Sequence, residues 1–278
     1  MEKDFEKLYY EANKFWEESS LSDENNLQRL QETVQMIPES VKTIADIGCG
    51  NGLFIKKIRQ DRPDLYTMGF DRSNVALRYV LGDKKEGSIE HIDLLDAAYD
   101  CVSCLEVIEH LPVGLYEQAL SELVRISNKF LLISVPYKED LEMDANQCPN
   151  CKSIFNSNLH LRSYDTPTFT SLFDRYGFKC VETKLLGKKV NYKYHFQYRK
   201  IFYSKQFRKW LSPICPICGY QGEAHNSTVE YRVTPESNTK LAQWILRKAK
   251  RLFTAIPKAL WPKEQRYYWI IGVFEKKN

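Results

Sequence analysis

Short apolar runs rich in β-branched residues alternate with amphipathic segments along the first two thirds of the chain. Such runs, when Gly, Pro or Asp bounds them, are typical of strands that are buried on both faces of a sheet. Between the runs, apolar residues recur every three or four positions, which predicts helices. The first five predicted strands span residues 43–46, 66–71, 88–93, 99–106 and 130–136.

The alternation of strands and helices continues beyond the fifth strand. It implies a doubly wound α/β fold, in which a mostly parallel sheet carries helices on both faces. In such sheets, ligands bind at the carboxyl ends of the strands. Four further helices are predicted, one from residue 53 onward and the others over 74–81, 113–126 and 166–176, and Ser73 is the predicted N-cap of the second. Two further strands are predicted over 177–182 and 267–274.

Two regions lie outside this alternation. Residues 1–42 predict two amphipathic helices before the first strand. Residues 187–266 separate the last two strands, which is far beyond ordinary loop lengths and predicts a subdomain. The predicted domains are an N-terminal helical segment (1–42), a core (43–186) that contains an insertion (137–163), the insertion subdomain (187–266), and the last strand with the tail (267–278).

A glycine-rich turn joins the first strand to the following helix. Gly48, Gly50 and Gly52 follow the acidic Asp46 within six positions. Glycines let the backbone approach a ligand, and the start of the next helix offers unpaired N–H groups. The G-x-G-x-G spacing differs from the G-x-G-x-x-G of dinucleotide sites. A carboxylate at this place would repel a pyrophosphate but suits a cationic amino group, so the turn favours a zwitterionic ligand that carries an adenosine.

The motif Asp46-Ile47-Gly48-Cys49-Gly50-Asn51-Gly52 resembles the first motif of the class I S-adenosylmethionine (SAM) methyltransferases, D-x-G-C-G-x-G. The resemblance covers residues 40–186 and 267–276 and implies a seven-stranded sheet. It implies that Asp71 binds the ribose hydroxyls and that Asp93 borders the adenine. Residues 1–42 would then cover the SAM pocket as a lid, or else pack on the sheet as ordinary helices. The implied cofactor-binding residues are Asp46, Gly48, Cys49, Gly50, Gly52, Asp71, Arg72, Asp93, Leu94 and Leu105.

Glu106, Glu109 and His110 follow the fourth strand, and we call them the Glu-His box. Two carboxylates and an imidazole can hold a divalent metal or act as acid and base. Two subgroups of the family, the small-RNA 2′-O-methyltransferases and the ubiquinone-pathway O-methyltransferases, use this box as a metal site with a further histidine. His160 is the candidate for that histidine. The alternatives are Mg²⁺ or Zn²⁺ at these four residues, a metal-free site with His110 or His160 as general base, and a structural role.

Two C-P-x-C pairs, Cys148–Cys151 and Cys215–Cys218, are the strongest metal signal in the chain. Four thiolates suit a tetrahedral Zn²⁺, which would link the insertion at 137–163 to the one at 187–266. The alternatives are the replacement of one cysteine by His160 and free thiols in turns. The remaining cysteines are predicted to be core thiols, and they are Cys49, Cys101, Cys104 and Cys180.

Charge is divided unevenly along the chain. Residues 1–183 carry 20 basic and 31 acidic residues, whereas residues 184–210 carry nine basic residues and no acidic one. Residues 188–200 mix cations with aromatics, and residues 244–261 form a cationic amphipathic segment. Three interpretations stay open: RNA binding through phosphates and base stacking, contact with a membrane surface or a lipid-linked substrate, and a solvated helix face.

The sequence therefore predicts a SAM-dependent methyltransferase with an insertion subdomain held by zinc. The expected acceptor atom is an oxygen in a small molecule, a sugar or a lipid-linked compound. The alternatives are an RNA methyltransferase and a non-catalytic SAM-binding scaffold. Because we find neither a secretory signal nor an apolar run of about 18 residues, we expect a cytoplasmic protein or one that is peripheral at the inner membrane face.

Overall fold

A computed structural model describes residues 24–141, 145–192, 215–220 and 263–277, together with Lys7, Tyr10, Glu11, Trp16 and Lys248. The strands are β1 (Thr43–Ile47), β2 (Tyr66–Asp71), β3 (Asp83–Glu86), β4 (Tyr99–Leu105), β5 (Ser127–Pro136), β6 (Ala145–Gln147), β7 (Ile154–Asn156), β8 (Phe178–Leu186), β9 (Lys189–Tyr192), β10 (Lys263–Arg266) and β11 (Trp269–Lys276). The helices are α1 (Glu24–Gln35), α2 (Leu53–Asp61), α3 (Asn74–Leu77), α4 (Val113–Ile126) and α5 (Thr166–Thr170), and a 3₁₀ turn spans Asp174–Tyr176.

Seven strands form one sheet in the order β3-β2-β1-β4-β5-β11-β8. The first five strands in this order run parallel, and β11 is antiparallel to both of its neighbours. The prediction of a doubly wound, mostly parallel seven-stranded sheet is confirmed. Because β1, β2 and β4 are parallel, their carboxyl ends meet at one edge, and that edge carries Asp46, Asp71 and Glu106.

The sheet has a hydrophobic core on each face. One core joins α4 and α5 to the sheet and contains Leu120, Phe169 and Cys104. The other joins α1 and α2 to the opposite face and contains Leu30 and Cys101. Successive side chains of a strand point to opposite faces, which explains why the two cysteines of β4 lie in different cores. Both are buried thiols, as the sequence predicted.

The third strand lies outside residues 88–93, so that prediction was wrong. β3 consists of Asp83-Lys84-Lys85-Glu86 and pairs in parallel with residues 68–71 of β2. An exposed edge strand carries no apolar alternation, and charged side chains keep it from pairing with other chains. Residues 88–93 form only one isolated bridge. Ile89 and Ile92 are nevertheless buried in the core, which accounts for the apolar pattern that suggested a strand.

Two predicted helices are shorter than expected. α3 ends at Leu77 rather than at residue 81, because the N–H groups of Tyr79 and Val80 donate to carbonyls three residues back, as in a 3₁₀ turn. Ser73 caps α3 as predicted, since its Oγ accepts from the Ala76 N–H at 3.2 Å. The helix predicted after the fifth strand is α5 followed by the 3₁₀ turn.

Two small antiparallel ladders lie beside the main sheet. β6 pairs with β7 in the insertion after β5, and β9 pairs with β10 at the two ends of the long insertion. Most of residues 193–262 lie outside the described residues, and so does most of the basic aromatic stretch that the sequence singled out. The first predicted N-terminal helix is described only at four positions. In the described part of the chain, no helix is long and apolar enough to cross a bilayer.

Candidate active site

The glycine turn between β1 and α2 is organised around Asp71. The Gly50 N–H donates to Asp71 Oδ2 and the Ser73 N–H donates to Oδ1, both at 2.8 Å. Burial raises the pKa of Asp71. Gly50 has a φ of 53°, and a Cβ there would lie 2.8 Å from Cζ3 of Trp16. Trp16 of the N-terminal segment therefore covers the turn at a distance that only glycine allows.

Asp46 is buried next to this turn, at 3% exposure. Ser103 Oγ donates to Asp46 Oδ1 at 2.7 Å. Burial raises the pKa of Asp46 to about 7, the hydrogen bond from Ser103 lowers it, and the neighbouring Asp71 adds to the rise. This carboxyl is therefore easily neutralised unless a cation pairs with it.

Four other predicted cofactor-binding residues lie at the same edge of the sheet. The N–H groups of Gly48 and Cys49 donate to the Phe70 carbonyl at 2.7 and 3.1 Å, which joins the turn to β2. Burial raises the pKa of the Cys49 thiol, so it stays neutral. Leu105 ends β4, and Arg72 directly follows β2.

Asp93 was predicted to lie at the end of the third strand, but in the structure it belongs to no strand. Its side chain is exposed, and Lys85 Nζ donates to Asp93 Oδ2 at 2.5 Å. This hydrogen bond lowers the pKa of Asp93. Leu94, which follows it, is half-buried and packs against the core.

Glu106 has a left-handed backbone, with a φ of 59°, directly after β4. This conformation is costly for a residue with a Cβ, so its surroundings must hold it. The Glu106 N–H donates to the Ser134 carbonyl at 3.0 Å, and Ser134 Oγ donates to Glu106 Oε1 at 2.7 Å. Arg29 Nη1 lies 3.9 Å from the same oxygen, and its guanidinium lies 5.4 Å from the Trp269 ring. Burial raises the pKa of Glu106, and the charge of Arg29 opposes that rise.

Glu109 is fully buried, and neither of its carboxylate oxygens has a hydrogen-bond partner in the described residues. Burial raises the pKa of Glu109 well above its usual range, and Glu106 raises it further. Ligand atoms of Glu109, His110 and His160 all lie within 4.8 Å of one another. A buried carboxylate without a partner beside two imidazoles fits a site for a divalent cation.

The two histidines of this cluster are held by different partners. The Tyr10 hydroxyl lies 3.2 Å from His110 Nδ1, and His110 Nε2 lies 3.9 Å from Glu109 Oε1. Burial lowers the pKa of His110 to about 3, so this imidazole is neutral. His160 Nδ1 pairs with the carboxylate of Glu139, which leaves its Nε2 as the atom for a ligand or a proton. The two rings are 4.7 Å apart and nearly perpendicular.

Sequence reasoning missed four residues of this site. Tyr10, Arg29, Ser134 and Glu139 come from four separate segments, and none belongs to a motif with recognisable spacing. The only available signal was the predicted lid, because Tyr10 and Arg29 both lie within residues 1–42.

The four cysteines of the C-P-x-C pairs meet at one point. Cys148 Sγ lies 3.7 Å from Cys218 Sγ, and Cys151 Sγ lies 3.9 Å from Cys215 Sγ. A disulfide would need about 2.05 Å, and all four thiols are free. All four sulfurs lie within 4.8 Å of one another. His160 lies with Glu109 and His110 instead, so it does not replace a cysteine in this cluster.

The two cysteine turns share one backbone conformation. In each, the N–H of the first cysteine donates to the carbonyl five residues later, and the N–H four residues after that cysteine donates back to its carbonyl. That fourth residue is Lys152 in one turn and Gly219 in the other, with φ values of 62° and 71°. Two segments far apart in sequence therefore present their sulfurs in the same way.

Comparison with known proteins gives a family match. Residues 22–183, more than half of the chain, match the family described as Methyltransferase domain.

Two curated relatives match shorter parts of the chain. An uncharacterized protein of Methanocaldococcus jannaschii is 30% identical over 133 residues, which are 47% of this chain and 56% of that protein. A ubiquinone biosynthesis O-methyltransferase of Pectobacterium atrosepticum is 30% identical over 79 residues, which are 26% of this chain and 33% of that protein. The chain therefore matches about half, or less, of the length of these relatives.

The fold also resembles solved structures. A SAM-dependent methyltransferase of Thermotoga maritima superposes with a TM-score of 0.52 at 15% identity, over 99% of this chain and 100% of that one. At that identity the likeness shows the fold alone.

Proposed function

The chain belongs to the methyltransferase-domain family with the class I fold, and we propose that it transfers the methyl group of SAM to a hydroxyl group of its acceptor. The observation that carries the choice of oxygen is the buried carboxylate of Glu109, which has no hydrogen-bond partner in the described residues, beside His110 and His160. Such a cluster suits the removal of a proton from a hydroxyl. The similarity of one segment to an O-methyltransferase supports the same choice.

The glycine turn is proposed to bind SAM. Asp71 accepts the Gly50 N–H on Oδ2 and the Ser73 N–H on Oδ1. A carboxylate offers about four lone-pair sites, so Asp71 can also accept a hydrogen bond from the ribose. Asp46 in its ionised form would pair with the cationic amino group of SAM. Trp16 lies over the glycine turn, and the Tyr10 hydroxyl lies beside His110 of the Glu-His box. Both contacts support the role of the N-terminal segment as a lid.

Methyl transfer from a sulfonium is an in-line displacement. The acceptor oxygen attacks the methyl carbon, the carbon–sulfur bond breaks, and S-adenosylhomocysteine leaves with both bonding electrons on sulfur. The hydroxyl proton must pass to a base, so the protein has to align the reactants and hold that base nearby.

Of the four residues predicted for this metal site, three fit a divalent metal: Glu109, His110 and His160. His110, with a pKa of about 3, is a weak base at neutral pH but a suitable neutral ligand. Glu109 and His160 complete a set of three ligands, and Glu139 orients the His160 ring. Glu106 is already held by Ser134. A divalent ion held there would lower the pKa of the acceptor hydroxyl.

The metal-free alternative rests on His160. Its Nδ1 pairs with the Glu139 carboxylate, so Nε2 is the ring atom available to accept the hydroxyl proton. A chelation experiment separates this alternative from the metal site.

The proposal also includes a structural Zn²⁺ at Cys148, Cys151, Cys215 and Cys218. With zinc–sulfur bonds of about 2.3 Å, the sulfurs at the corners of a tetrahedron are about 3.8 Å apart. The observed separations of 3.7 and 3.9 Å support that geometry.

The acceptor is proposed to be a small or lipid-linked molecule, with RNA as the alternative. Both options depend on residues 188–200 and 244–261, which lie mostly outside the described residues. The described part of the chain gives no support for contact with a membrane surface.

Formation of S-adenosylhomocysteine by the purified full chain tests this function. The acceptor panel pairs hydroxyl compounds (a catechol, a sugar alcohol and a short RNA) with the corresponding amines. We expect turnover with at least one hydroxyl acceptor, and methylation of amines alone would overturn the proposal.

Chelation then separates the metal from the general base. With a metal, turnover falls after treatment with a chelator, returns on addition of Mg²⁺, Mn²⁺ or Zn²⁺, and is lost in Glu109→Gln. Glu117→Gln, on the exposed surface of α4, is the matched control and should keep full turnover. Turnover that survives chelation but is lost in His160→Ala would favour the base instead.

A further inference from the structure

The hairpin that carries Cys148 and Cys151 is small and contributes no residue to the two main hydrophobic cores. β6 and β7 have three residues each, and a two-stranded hairpin of that size is not stable alone. Cys148 and Cys215 form a buried cluster separate from the two main cores, with Phe155 packed against it. Metal binding supplies folding energy to small units of this kind. The hairpin is therefore expected to stay folded only while a bound metal links the four sulfurs.

Asn156 connects this hairpin rigidly to His160. Asn156 is the last residue of β7 and is 8% exposed. Its Oδ1 accepts from the N–H of Asn158 at 2.8 Å and from that of His160 at 3.4 Å, and its carbonyl accepts from the Leu159 N–H at 2.9 Å. Its Nδ2 donates to the Leu141 carbonyl at 3.2 Å. The backbone of His160 is thus bonded to the end of the hairpin.

On its other side, His160 meets the Glu-His box. The N–H of Leu161 donates to the Glu109 carbonyl at 2.8 Å, and the rings of His160 and His110 are 4.7 Å apart. His160 is therefore held between the end of the hairpin and the Glu-His box. A displacement of about 1 Å at such a site can reduce a rate by about two orders of magnitude.

We infer that the four-cysteine site is a positioning site for His160. Zn²⁺ joins the insertion between β8 and β11 to the β6–β7 hairpin, and Asn156 passes that constraint to His160. The long insertion therefore controls the geometry of the acceptor site through Cys215 and Cys218. The effect on turnover rests on the proposed function, but the effect on the backbone of His160 does not.

Zinc content and residue-level amide exchange of the full chain test the first step. Cys215→Ser should lower zinc from one per chain to near zero and speed exchange of the Leu159 and His160 amides about tenfold or more. The amides of β1 and β4, and SAM affinity, should not change. Cys215→His keeps a zinc ligand and should restore slow exchange. Cys180→Ser, on β8 outside the cluster, is the matched control.

A second way to remove the zinc keeps the first step decisive. If Cys215→Ser fails to fold, zinc is released from the folded wild-type protein with a thiol-reactive mercurial, and exchange is measured again. Unchanged zinc in the variant would reject the metal site, and lost zinc with unchanged exchange would reject the coupling to His160.

Asn156→Ala tests the second step. This variant should keep its zinc but lose the slow exchange of the His160 amide and most of its acceptor turnover, with SAM affinity unchanged. Asn158→Ala, an exposed asparagine of the same turn, should behave as the wild type. Unchanged exchange in Asn156→Ala would overturn the inference, whereas a wild-type protein without turnover on any acceptor would overturn only the proposed function.

Discussion

Replacing Asp46 by Asn is expected to stabilise the cofactor-free protein at alkaline pH. Asp46 is 3% exposed, and its pKa is raised by burial from 3.8 to about 7. The folded state therefore holds this proton more tightly than the unfolded state does. The resulting stability is fully present below pH 3.8 and is lost as the pH rises through about 7.

The size of this loss follows from the shift in pKa. A rise from 3.8 to about 7 is roughly three pKa units, and each unit is worth about 1.4 kcal/mol. The free energy of unfolding should fall by about 4 kcal/mol between pH 3 and pH 8 from this group alone, and more than half of that fall should occur between pH 5 and pH 8. Asp46→Asn removes the titration and keeps a side chain that can accept from Ser103, so this part of the pH dependence should vanish.

The assay is urea unfolding of both proteins at pH 5 and pH 8 without SAM. All other groups titrate in both proteins. The change in the free energy of unfolding between pH 5 and pH 8 should therefore differ between the two proteins only by the contribution of Asp46. Asp100→Asn is a control for which the opposite change in stability at pH 8 is expected. Asp100 accepts from the N–H groups of Lys42 and Thr43 at 2.9 and 3.1 Å, and the first of these bonds leads the lowering of its pKa. That substitution should reduce stability at pH 8.

Equal pH slopes for the wild type and Asp46→Asn would refute the reasoning, because they would mean that Asp46 titrates normally in the folded protein. Calorimetric titration with SAM gives a second readout. If ionised Asp46 pairs with the cofactor's amino group, the wild-type Kd should rise about tenfold per pH unit below pH 7. The variant should bind weakly, without that slope.

Two more substitutions probe the ribose site and the Glu-His box. Asp71→Ala should raise the Kd for SAM about tenfold or more, because it removes the acceptor for the ribose and for the N–H groups of Gly50 and Ser73; unchanged affinity in calorimetry would exclude Asp71 from the site. Glu109→Gln should raise the melting temperature at pH 8 in the presence of chelator, because the raised pKa of Glu109 makes its ionised form destabilising. A lower melting temperature would indicate that the ionised carboxylate has a stabilising partner.

The sheet was largely predictable because most of its strands are buried on both faces. A buried parallel strand is apolar over most of its length, so β1, β4 and β5 are visible as runs in the sequence. β3 was not predictable in this way, since an edge strand of four charged residues owes its place to its partner β2. Ile89 and Ile92 led to the wrong prediction of a strand, because a residue can be buried in a core without belonging to a strand.

The glycine turn, the carboxylates at the ends of β1, β2 and β4 and the two cysteine turns were all visible in the sequence alone. These features are local, because a left-handed glycine or a C-P-x-C turn is specified by a few adjacent residues. The residue types therefore predicted a SAM site and a zinc site before any contact was known.

Which of these residues meet, and which of them carry a charge, depends on contacts between segments that are distant in sequence. It brought His160 to the Glu-His box rather than to the cysteines, and it surrounded the box with Tyr10, Arg29 and Glu139. It also left the carboxylate of Glu109 buried without a hydrogen-bond partner in the described residues. Burial and the proximity of charges set a pKa, and both arise from segments distant in sequence, so no local pattern could have shown them.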